Sequence, residues 1–181
     1  HLSLAILEKE GVLDAVITQN VDNLHQKAAN QNVVELHGNP FRIRCASCST
    51  NITLEEDRLK EMINSLRRAK GSRMQLLRAF SRYFPRCKCG GRFRIDIVLF
   101  GEALPQQELS RAYQELDKCK VLLLVGSSLV VYPAAGLPLY AKQKGATLIE
   151  INNEPSALSE FCDYRVFSEA GRALPEIIRI L

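Results

Sequence analysis

The chain contains 181 residues, of which 46% are hydrophobic and 24% are charged, and its formal net charge is +4. These values are typical of a globular protein with one substantial domain, and they exclude a disordered or fibrous chain. The sequence also predicts no membrane association, because the longest apolar run, residues 121–141, is interrupted by glycines, serines and prolines.

The first predicted element is a helix that is already under way at the start of the chain. The segment LSLAILEKEG, residues 2–11, is typical of the last turns of a helix, with Gly11 as its stop. The first residue is His1 and not a methionine. We therefore expect that N-terminal sequence is missing from this chain.

Short apolar strands alternate with amphipathic helices through the rest of the body. The predicted strands cover residues 13–18, 32–36, 120–126 and 146–151, and the predicted helices cover residues 106–119, 133–145 and 175–181. This alternation predicts an α/β fold with a parallel sheet and helices on both faces. Ligands of such folds bind at the carboxyl ends of the strands.

The segment 41–94 breaks this alternation. It contains two predicted helical stripes, one formed by Leu59, Met62, Ile63 and Leu66 and the other by Met74, Leu77 and Phe84. From residue 58 to residue 94 the charge is +11, with Glu61 as the single acid, whereas the remaining residues sum to −7. We expect a small basic insert, and its Lys and Arg residues are candidate contacts for an acidic partner or nucleic acid.

Two close pairs of cysteines flank the helical part of this insert: Cys45, Cys48, Cys87 and Cys89. Two thiolate pairs at this spacing predict a tetrahedral structural zinc site, which would stabilise an insert with few large apolar residues. Cys119 and Cys162 flank apolar strands and are predicted to be inert buried thiols. Metal-bound, reduced cysteines favour a cytoplasmic location.

Polar residues follow the ends of several predicted strands. Gln19, Asn20 and Asp22 follow the first strand, and one of the last two could simply cap the next helix. The turn 126–128, Gly-Ser-Ser, follows the most apolar strand and could hold a ribose or phosphate with its N–H groups and hydroxyls. Asn152 stands at the end of the next strand.

Together, these segments make the chain resemble a known family, the sirtuins, which are NAD-dependent protein lysine deacylases. The matching segments, in the order of the family, are AVITQNVDNLHQKA, ELHGN, the two cysteine pairs, DIVLFGE, GSSLVVYPAAGLP and INNEP. The resemblance implies a Rossmann-like NAD-binding domain formed by residues 1–40 and 95–181, with a zinc-binding module at 41–94. It also implies that acyl-lysine enters between the two.

The resemblance carries roles to individual residues. His37 matches the catalytic histidine, and the cysteine pairs match the zinc ligands. The other matches are Gln19, Asn20 and Asp22 around the nicotinamide and its ribose, Gly126, Ser127 and Ser128 in the cofactor turn, Asn152 at the adenosine ribose, Ala170 near the adenine, and Val98, Phe100 and Gly101 in a strand that pairs with the substrate backbone.

The chemistry implied is transfer of the acyl group from lysine to NAD. The acyl oxygen attacks C1′ of the nicotinamide ribose, nicotinamide leaves, and an imidate forms. His37 accepts a proton from the ribose hydroxyls, so that the 2′-oxygen can attack this imidate. Water then releases free lysine and an O-acyl-ADP-ribose. Histidine suits this role because its ordinary pKa lies near neutrality. Zinc lies outside the reaction and only shapes the insert.

The chain departs from the family at a few positions. It has no glycine-rich phosphate loop, so we expect this polypeptide alone to bind NAD weakly and to have low activity. Asn23 stands at a usual glycine, and asparagine tolerates the left-handed backbone that such a position requires. Two other readings stay open: a zinc-ribbon module that binds nucleic acid or protein without catalysis, and a non-catalytic remnant of an enzyme.

Overall fold

The computed structural model describes residues 1–69 and 71–180, without the side chain of Phe80. Lys70, in the predicted basic insert, and Leu181, in the predicted last helix, lie outside the described residues. The chain forms two compact units. The first consists of His1–Asn20, Leu24–His37 and Glu102–Leu181, and the second of Val21–Asn23 and Gly38–Gly101.

The first unit contains the alternating strands and helices. In chain order they are α1 (Leu2–Lys9), β1 (Val16–Thr18), α2 (Leu24–Lys27), β2 (Val33–Glu35), α5 (Gln106–Asp117), β6 (Val121–Val125), α6 (Leu137–Gln143), β7 (Thr147–Asn152), β8 (Tyr164–Phe167) and α7 (Ala170–Ile180). Gly11 follows α1 with a φ of +72°, as expected of a glycine that stops a helix.

All strand pairs of this unit are parallel. β1 pairs with β2, and β6, β7 and β8 form a second sheet in that order. Val34 and Leu36, from the end of β2 and just after it, share one buried core with Leu124 of β6 and Leu148 of β7. The predicted α/β fold of parallel strands and helices is therefore confirmed.

The second unit is built on a small antiparallel sheet. Its elements are β3 (Gly38–Cys45), β4 (Asn51–Thr53), α3 (Glu56–Arg68), α4 (Arg73–Tyr83) and β5 (Phe93–Ile97), and the strand order is β4-β3-β5. Its own core contains Ile43, Met62 and Tyr83. The unit extends beyond the predicted insert at both ends because β3 and β5 pair from Gly38 and Ile97 onward.

The two helical stripes predicted in the insert have different outcomes. In α3, Leu59 and Met62 are buried and Leu66 is partly buried, as an amphipathic helix requires, whereas Ile63 is exposed. In α4, Met74 and Leu77 are exposed, because this helix turns Ala79 and Tyr83 toward the core. Within the described residues, no helix is both long and apolar enough to cross a membrane.

Candidate cofactor site and cysteine centre

His37 lies just past the carboxyl end of β2, where the first parallel pair ends. Thr18 and Glu35 are the last paired residues, and the Leu36 N–H donates to the Thr18 carbonyl at 3.0 Å. This pairing brings the His37 ring beside the chain after β1, with Nδ1 3.1 Å from the Gln19 carbonyl oxygen. A carbonyl oxygen only accepts, so Nδ1 is the donor in this contact, and the tautomer with the proton on Nδ1 has its lone pair on Nε2.

The residues that follow β1 are held by a short turn. The Thr18 hydroxyl oxygen accepts a hydrogen bond from the Asn20 N–H at 3.1 Å, and Thr18 is itself buried. Asp22 belongs to the second unit, as does Asn23. Asn23 has a φ of +61°, which confirms that the asparagine takes a left-handed backbone here. Thr18 is one of the polar residues at the end of this strand, but no role could be assigned to it from the sequence, since its contact with the Asn20 N–H is visible only in the structure.

A second polar turn follows β6. Gly126 has a φ of +61°, and its N–H donates to the Ile151 carbonyl at 3.0 Å, while the Asn152 side-chain amide donates to the Ser127 carbonyl at 3.0 Å. These bonds tie the turn to the end of β7. Along the described chain, the N–H groups of Ser127 and Ser128 have no hydrogen-bond partner. Two free N–H groups at the end of a parallel strand can bind a phosphate or ribose oxygen.

Ala170 lies close to the same edge through the chain after β8. The Ser168 N–H donates to the Asn152 carbonyl at 3.0 Å, and α7 begins two residues later, at Ala170. The structure therefore brings together Gly126, Ser127, Ser128, Asn152 and the start of α7, as predicted for residues at neighbouring strand ends.

The residues predicted to pair with substrate are not in a strand. β5 ends at Ile97, and Val98, Phe100 and Gly101 follow it in irregular structure and a turn. The prediction placed them in a strand and was wrong on this point. The reason is that Ile97 faces Gly38, the first residue of β3, so no residue of β3 remains to pair with those beyond it.

The four paired cysteines converge in the second unit. Their sulfur atoms all lie within 4.8 Å of one another, with Cys45 and Cys89 3.6 Å apart and Cys48 and Cys87 3.5 Å apart. Zinc with four ligands at a Zn–S distance of about 2.3 Å places the sulfurs roughly 3.8 Å from each other. The arrangement therefore fits one tetrahedral zinc ion, and His37, in the first unit, is not part of the cluster.

Two tight turns hold these cysteines. The N–H groups of Ser47 and Gly91 donate to the sulfurs of Cys45 and Cys89, each at 3.4 Å. Gly91 also approaches so closely that a Cβ atom there would lie 2.7 Å from the Cys45 sulfur. The close approach of Gly91 to Cys45 is visible only in the structure.

Two thiols of the cysteine cluster, Cys48 and Cys89, have very different pKa values. Hydrogen bonds from Thr50 and from neighbouring thiols lower the pKa of Cys48 to about 6. The Gly91 N–H lowers the pKa of Cys89, but the three surrounding sulfurs outweigh it and raise that pKa to about 12. Thiolates packed this closely repel one another, and a divalent cation removes the repulsion.

Of the two remaining cysteines, Cys162 is buried, as predicted, whereas Cys119 is only partly buried. Burial raises the pKa of both Cys119 and Cys162, so both stay neutral thiols at neutral pH.

The second unit also holds a buried carboxylate that was not predicted. Asp96 is 3% exposed and accepts hydrogen bonds from Nε of Arg42 at 3.1 Å and Nε of Arg44 at 2.8 Å. Arg42 and Arg44 are distant from Asp96 in the sequence, so no local sequence pattern predicts this contact.

Comparison with known proteins identifies the family. The model of the Sir2 family matches residues 1–133. The chain is 45% identical over 180 residues to an NAD-dependent protein deacylase of Pyrococcus furiosus, covering 98% of the chain and 65% of that protein. It is 43% identical to an NAD-dependent protein deacylase of Thermococcus kodakarensis, covering 99% of the chain and 64% of that protein. The chain thus spans just under two thirds of the length of these relatives.

Solved structures agree with this assignment. One, described as a Sir2 homolog–NAD complex, has a TM-score of 0.78 and 38% identity and covers 99% of this chain and 62% of its own. Another, of Sir2Tm bound to a propionylated peptide, has a TM-score of 0.77 and 32% identity, and the match covers 99% of this chain and 69% of that one.

The fold and the cysteine centre define a Rossmann-like α/β protein with an inserted four-cysteine module. The chain belongs to the Sir2 family.

Proposed function

We propose that the protein carrying this chain removes acyl groups from lysine side chains of proteins in an NAD-dependent reaction that yields nicotinamide and an O-acyl-ADP-ribose. Membership of the Sir2 family supports the reaction class, and relatives named NAD-dependent protein deacylase support the substrates. The observation that carries the proposal is the hydrogen bond between His37 Nδ1 and the Gln19 carbonyl, because it leaves Nε2 free to act as a base.

In this proposal NAD supplies the ribose that receives the acyl group. His37 accepts, at Nε2, the proton that a ribose hydroxyl loses. Gln19, Asn20 and Asp22 hydrogen-bond the nicotinamide end, and the turn that fixes the Asn20 N–H on Thr18 limits the motion of this segment. A base that is oriented before the substrate binds does not need to reorganise during proton transfer.

The other end of NAD would be held by the turn after β6. The free N–H groups of Ser127 and Ser128 suit a phosphate or ribose oxygen. Asn152 would act partly through this turn, since its amide already donates to the Ser127 carbonyl at 3.0 Å. Gly126 lets the backbone take its positive φ, and Ala170 gives the adenine a neighbour without a large side chain.

The acylated peptide would bind beside Val98, Phe100 and Gly101. These residues continue from the end of β5 and have no strand of the described chain opposite them. An extended peptide could therefore form backbone hydrogen bonds there. Such bonds recognise the main chain of the peptide and depend little on its amino-acid sequence. A solved relative bound to a propionylated peptide supports a substrate of this kind.

The cysteine centre would hold one structural zinc ion. Cys45, Cys48, Cys87 and Cys89 supply all four ligands of a tetrahedral site, which leaves no position for a reacting water. We further propose a cytoplasmic location, since none of the six cysteines forms a disulfide. We also propose that the basic segment 58–94 contacts an acidic partner or nucleic acid.

Replacing His37 tests the proposed function. In the protein that carries this chain, His37→Ala should lower the formation of O-acyl-ADP-ribose from an acetylated peptide and NAD by at least about 100-fold, the usual contribution of a general base. Mass spectrometry of the products measures this loss. Zinc content and thermal unfolding serve as controls and should not change, because His37 is not a zinc ligand.

Undiminished product formation by His37→Ala, or release of the acyl group without NAD, would contradict the proposal. The alternative of a zinc-ribbon module without catalysis predicts neither NAD-dependent product nor any effect of His37. The comparisons do not favour it, because the relatives named deacylases match 98% and 99% of this chain, and not only its cysteine-containing part.

A further inference from the structure

The α3–α4 hairpin exposes apolar side chains that its own unit does not bury. Met74 is 62% exposed and Leu77 is 56% exposed. They stand three residues apart in α4 and therefore lie on the same face of that helix. The core contacts of α4 come from other residues, Ala79 and Tyr83, so Met74 and Leu77 are not needed to hold the hairpin together.

Four arginines surround the connection between the two helices: Arg67, Arg68, Arg73 and Arg78. All four are exposed, and the structure gives none of them an ion pair with a residue it describes. The acids of the hairpin are used further from the connection, where Glu56 and Asp57 contact Lys60 and Glu61 contacts Arg82. The positive charge around the connection is therefore uncompensated.

The charged and apolar side chains belong to one surface of α4. Arg78 is four residues after Met74, and Arg73 is four residues before Leu77, so each arginine neighbours one apolar side chain on the helix. Isolated exposed hydrophobic residues need no explanation, but a pair framed by unpaired charges of one sign is typical of a recognition surface.

We propose that this surface, the hairpin tip formed by Arg67, Arg68, Arg73, Met74, Leu77 and Arg78, docks an acidic protein segment that also carries apolar side chains. Carboxylates of the partner would pair with the guanidinium groups, which suit bidentate contacts. Apolar partner side chains would cover Met74 and Leu77, and the flexible methionine adapts to different shapes. This docking goes beyond the proposed deacylation and does not depend on it.

Charge alone would also allow nucleic acid, but the apolar pair favours protein. Single-stranded nucleic acid is usually held by bases stacked on aromatic side chains, and the described side chains of the hairpin tip include none. A phosphate backbone would leave Met74 and Leu77 uncovered, whereas an amphipathic acidic helix covers both and neutralises the arginines.

Fluorescence anisotropy with a designed probe tests the proposal. The probe is a labelled helical peptide of about 20 residues with leucines at helical spacing on one face and glutamates along both edges of that face. We expect it to bind the zinc-loaded protein at about 0.15 M salt. Met74→Ser/Leu77→Ser should weaken binding by about tenfold, the order expected from losing two central apolar contacts. Arg73→Glu/Arg78→Glu should abolish it.

Two comparisons give the experiment its specificity. The variant Lys9→Glu/Lys27→Glu makes the same charge change in the first unit and should bind the probe normally. A second peptide with serine in place of leucine should bind about tenfold more weakly than the first. The four replaced tip residues are exposed, so thermal unfolding should be unchanged in both tip variants.

The proposal fails if Met74→Ser/Leu77→Ser leaves the affinity for the leucine peptide unchanged, or if the serine peptide binds equally well. It also fails if a DNA duplex of about 20 base pairs binds more tightly than either peptide and loses affinity only with the arginine variants, because the tip would then be a phosphate-binding surface.

Discussion

At the scale of single residues, two positions show how close contacts decide what each site can be. His37 contacts the Gln19 carbonyl, which fixes the tautomer of its ring. Gly91 contacts the cysteine cluster, where a Cβ atom would lie 2.6 Å from the Ser47 hydroxyl oxygen and 2.7 Å from the Cys45 sulfur. The first contact concerns proton transfer, and the second concerns the space available around a metal ion.

The contact at Gly91 predicts a specific loss of zinc. In Gly91→Ala the new methyl group must push the Cys45 sulfur or the Ser47 side chain away, which spoils the tetrahedron of sulfurs. Since metal sites tolerate displacements of only about 0.2 Å, we expect zinc affinity to fall by at least about tenfold. Competition with a chromophoric chelator measures this affinity.

Gly171→Ala provides a matched control for Gly91→Ala. Gly171 lies in α7 of the first unit, and a Cβ atom there would meet nothing within 4 Å. Alanine is a better helix former than glycine, so this variant should keep its zinc and gain up to about 1 kcal/mol in free energy of unfolding. Equal zinc affinity in both variants would show that the cluster relaxes around the methyl group.

At the scale of elements, a buried carboxylate holds the connection that follows β7. Glu150 is 1% exposed, and it accepts hydrogen bonds from the Ser156 N–H at 3.0 Å and from the Ser159 hydroxyl. Burial raises the pKa of Glu150, but the hydrogen bonds from Ser156 and Ser159 outweigh burial and leave this pKa below its usual value of 4.5. The connection is thus held by an ionised side chain.

This arrangement predicts acid sensitivity. The folded pKa of Glu150 is depressed, so its contribution to stability is fully present above the unfolded value, near 4.5, and is lost as the pH falls through the folded value. Urea unfolding measured between neutral pH and about pH 3 should show a steeper loss of stability for the natural chain than for Glu150→Gln. Parallel curves in that range would contradict the role of Glu150.

The elements differ in how far the sequence could predict them. β6 is a continuous apolar run, and Leu148, Ile149 and Ile151 make β7 largely apolar, so the sequence carries a signal for both strands. β8 has four exposed residues, including Arg165, so its sequence shows no hydrophobic pattern that would predict a strand. The antiparallel strands β3 and β4 were missed for a related reason, since β4 is exposed throughout and β3 is half polar. Pairing between strands, and not hydrophobic pattern, defines these three.

At the scale of the whole molecule, the candidate sites were predictable where they follow a topological rule. His37 and Asn152 were predicted from the resemblance and from their place at the ends of predicted strands, and the structure confirms this place, whereas their roles stay predictions. The four cysteines were found because their spacing is typical of zinc sites. Asp96 could not be found, because its two arginine partners are brought to it only by the pairing of β3 with β5.

The two units should respond differently to removal of zinc, because each has its own core. The first unit buries Leu148 and Leu124 among its helices, whereas the second buries Ile43 and Met62 in a smaller cluster that includes Cys45. Zinc binding to four cysteines contributes on the order of 10 kcal/mol to folding in small modules. A unit of this size with few large apolar residues does not replace that contribution by hydrophobic burial.

Hydrogen exchange measured by mass spectrometry, before and after treatment with a chelator, tests this difference. After zinc is removed, amides of β3 (Gly38–Cys45) and β5 (Phe93–Ile97) should exchange at least about 100-fold faster, since their ladder closes directly on the cysteine turns. Amides of β6 (Val121–Val125) and β7 (Thr147–Asn152) should keep most of their protection. Readdition of zinc should restore the protection that β3 and β5 have lost. Protection lost equally from both sets of strands would show that the first unit depends on the metal as well. Protection lost from neither would show that the four cysteines do not hold the second unit together.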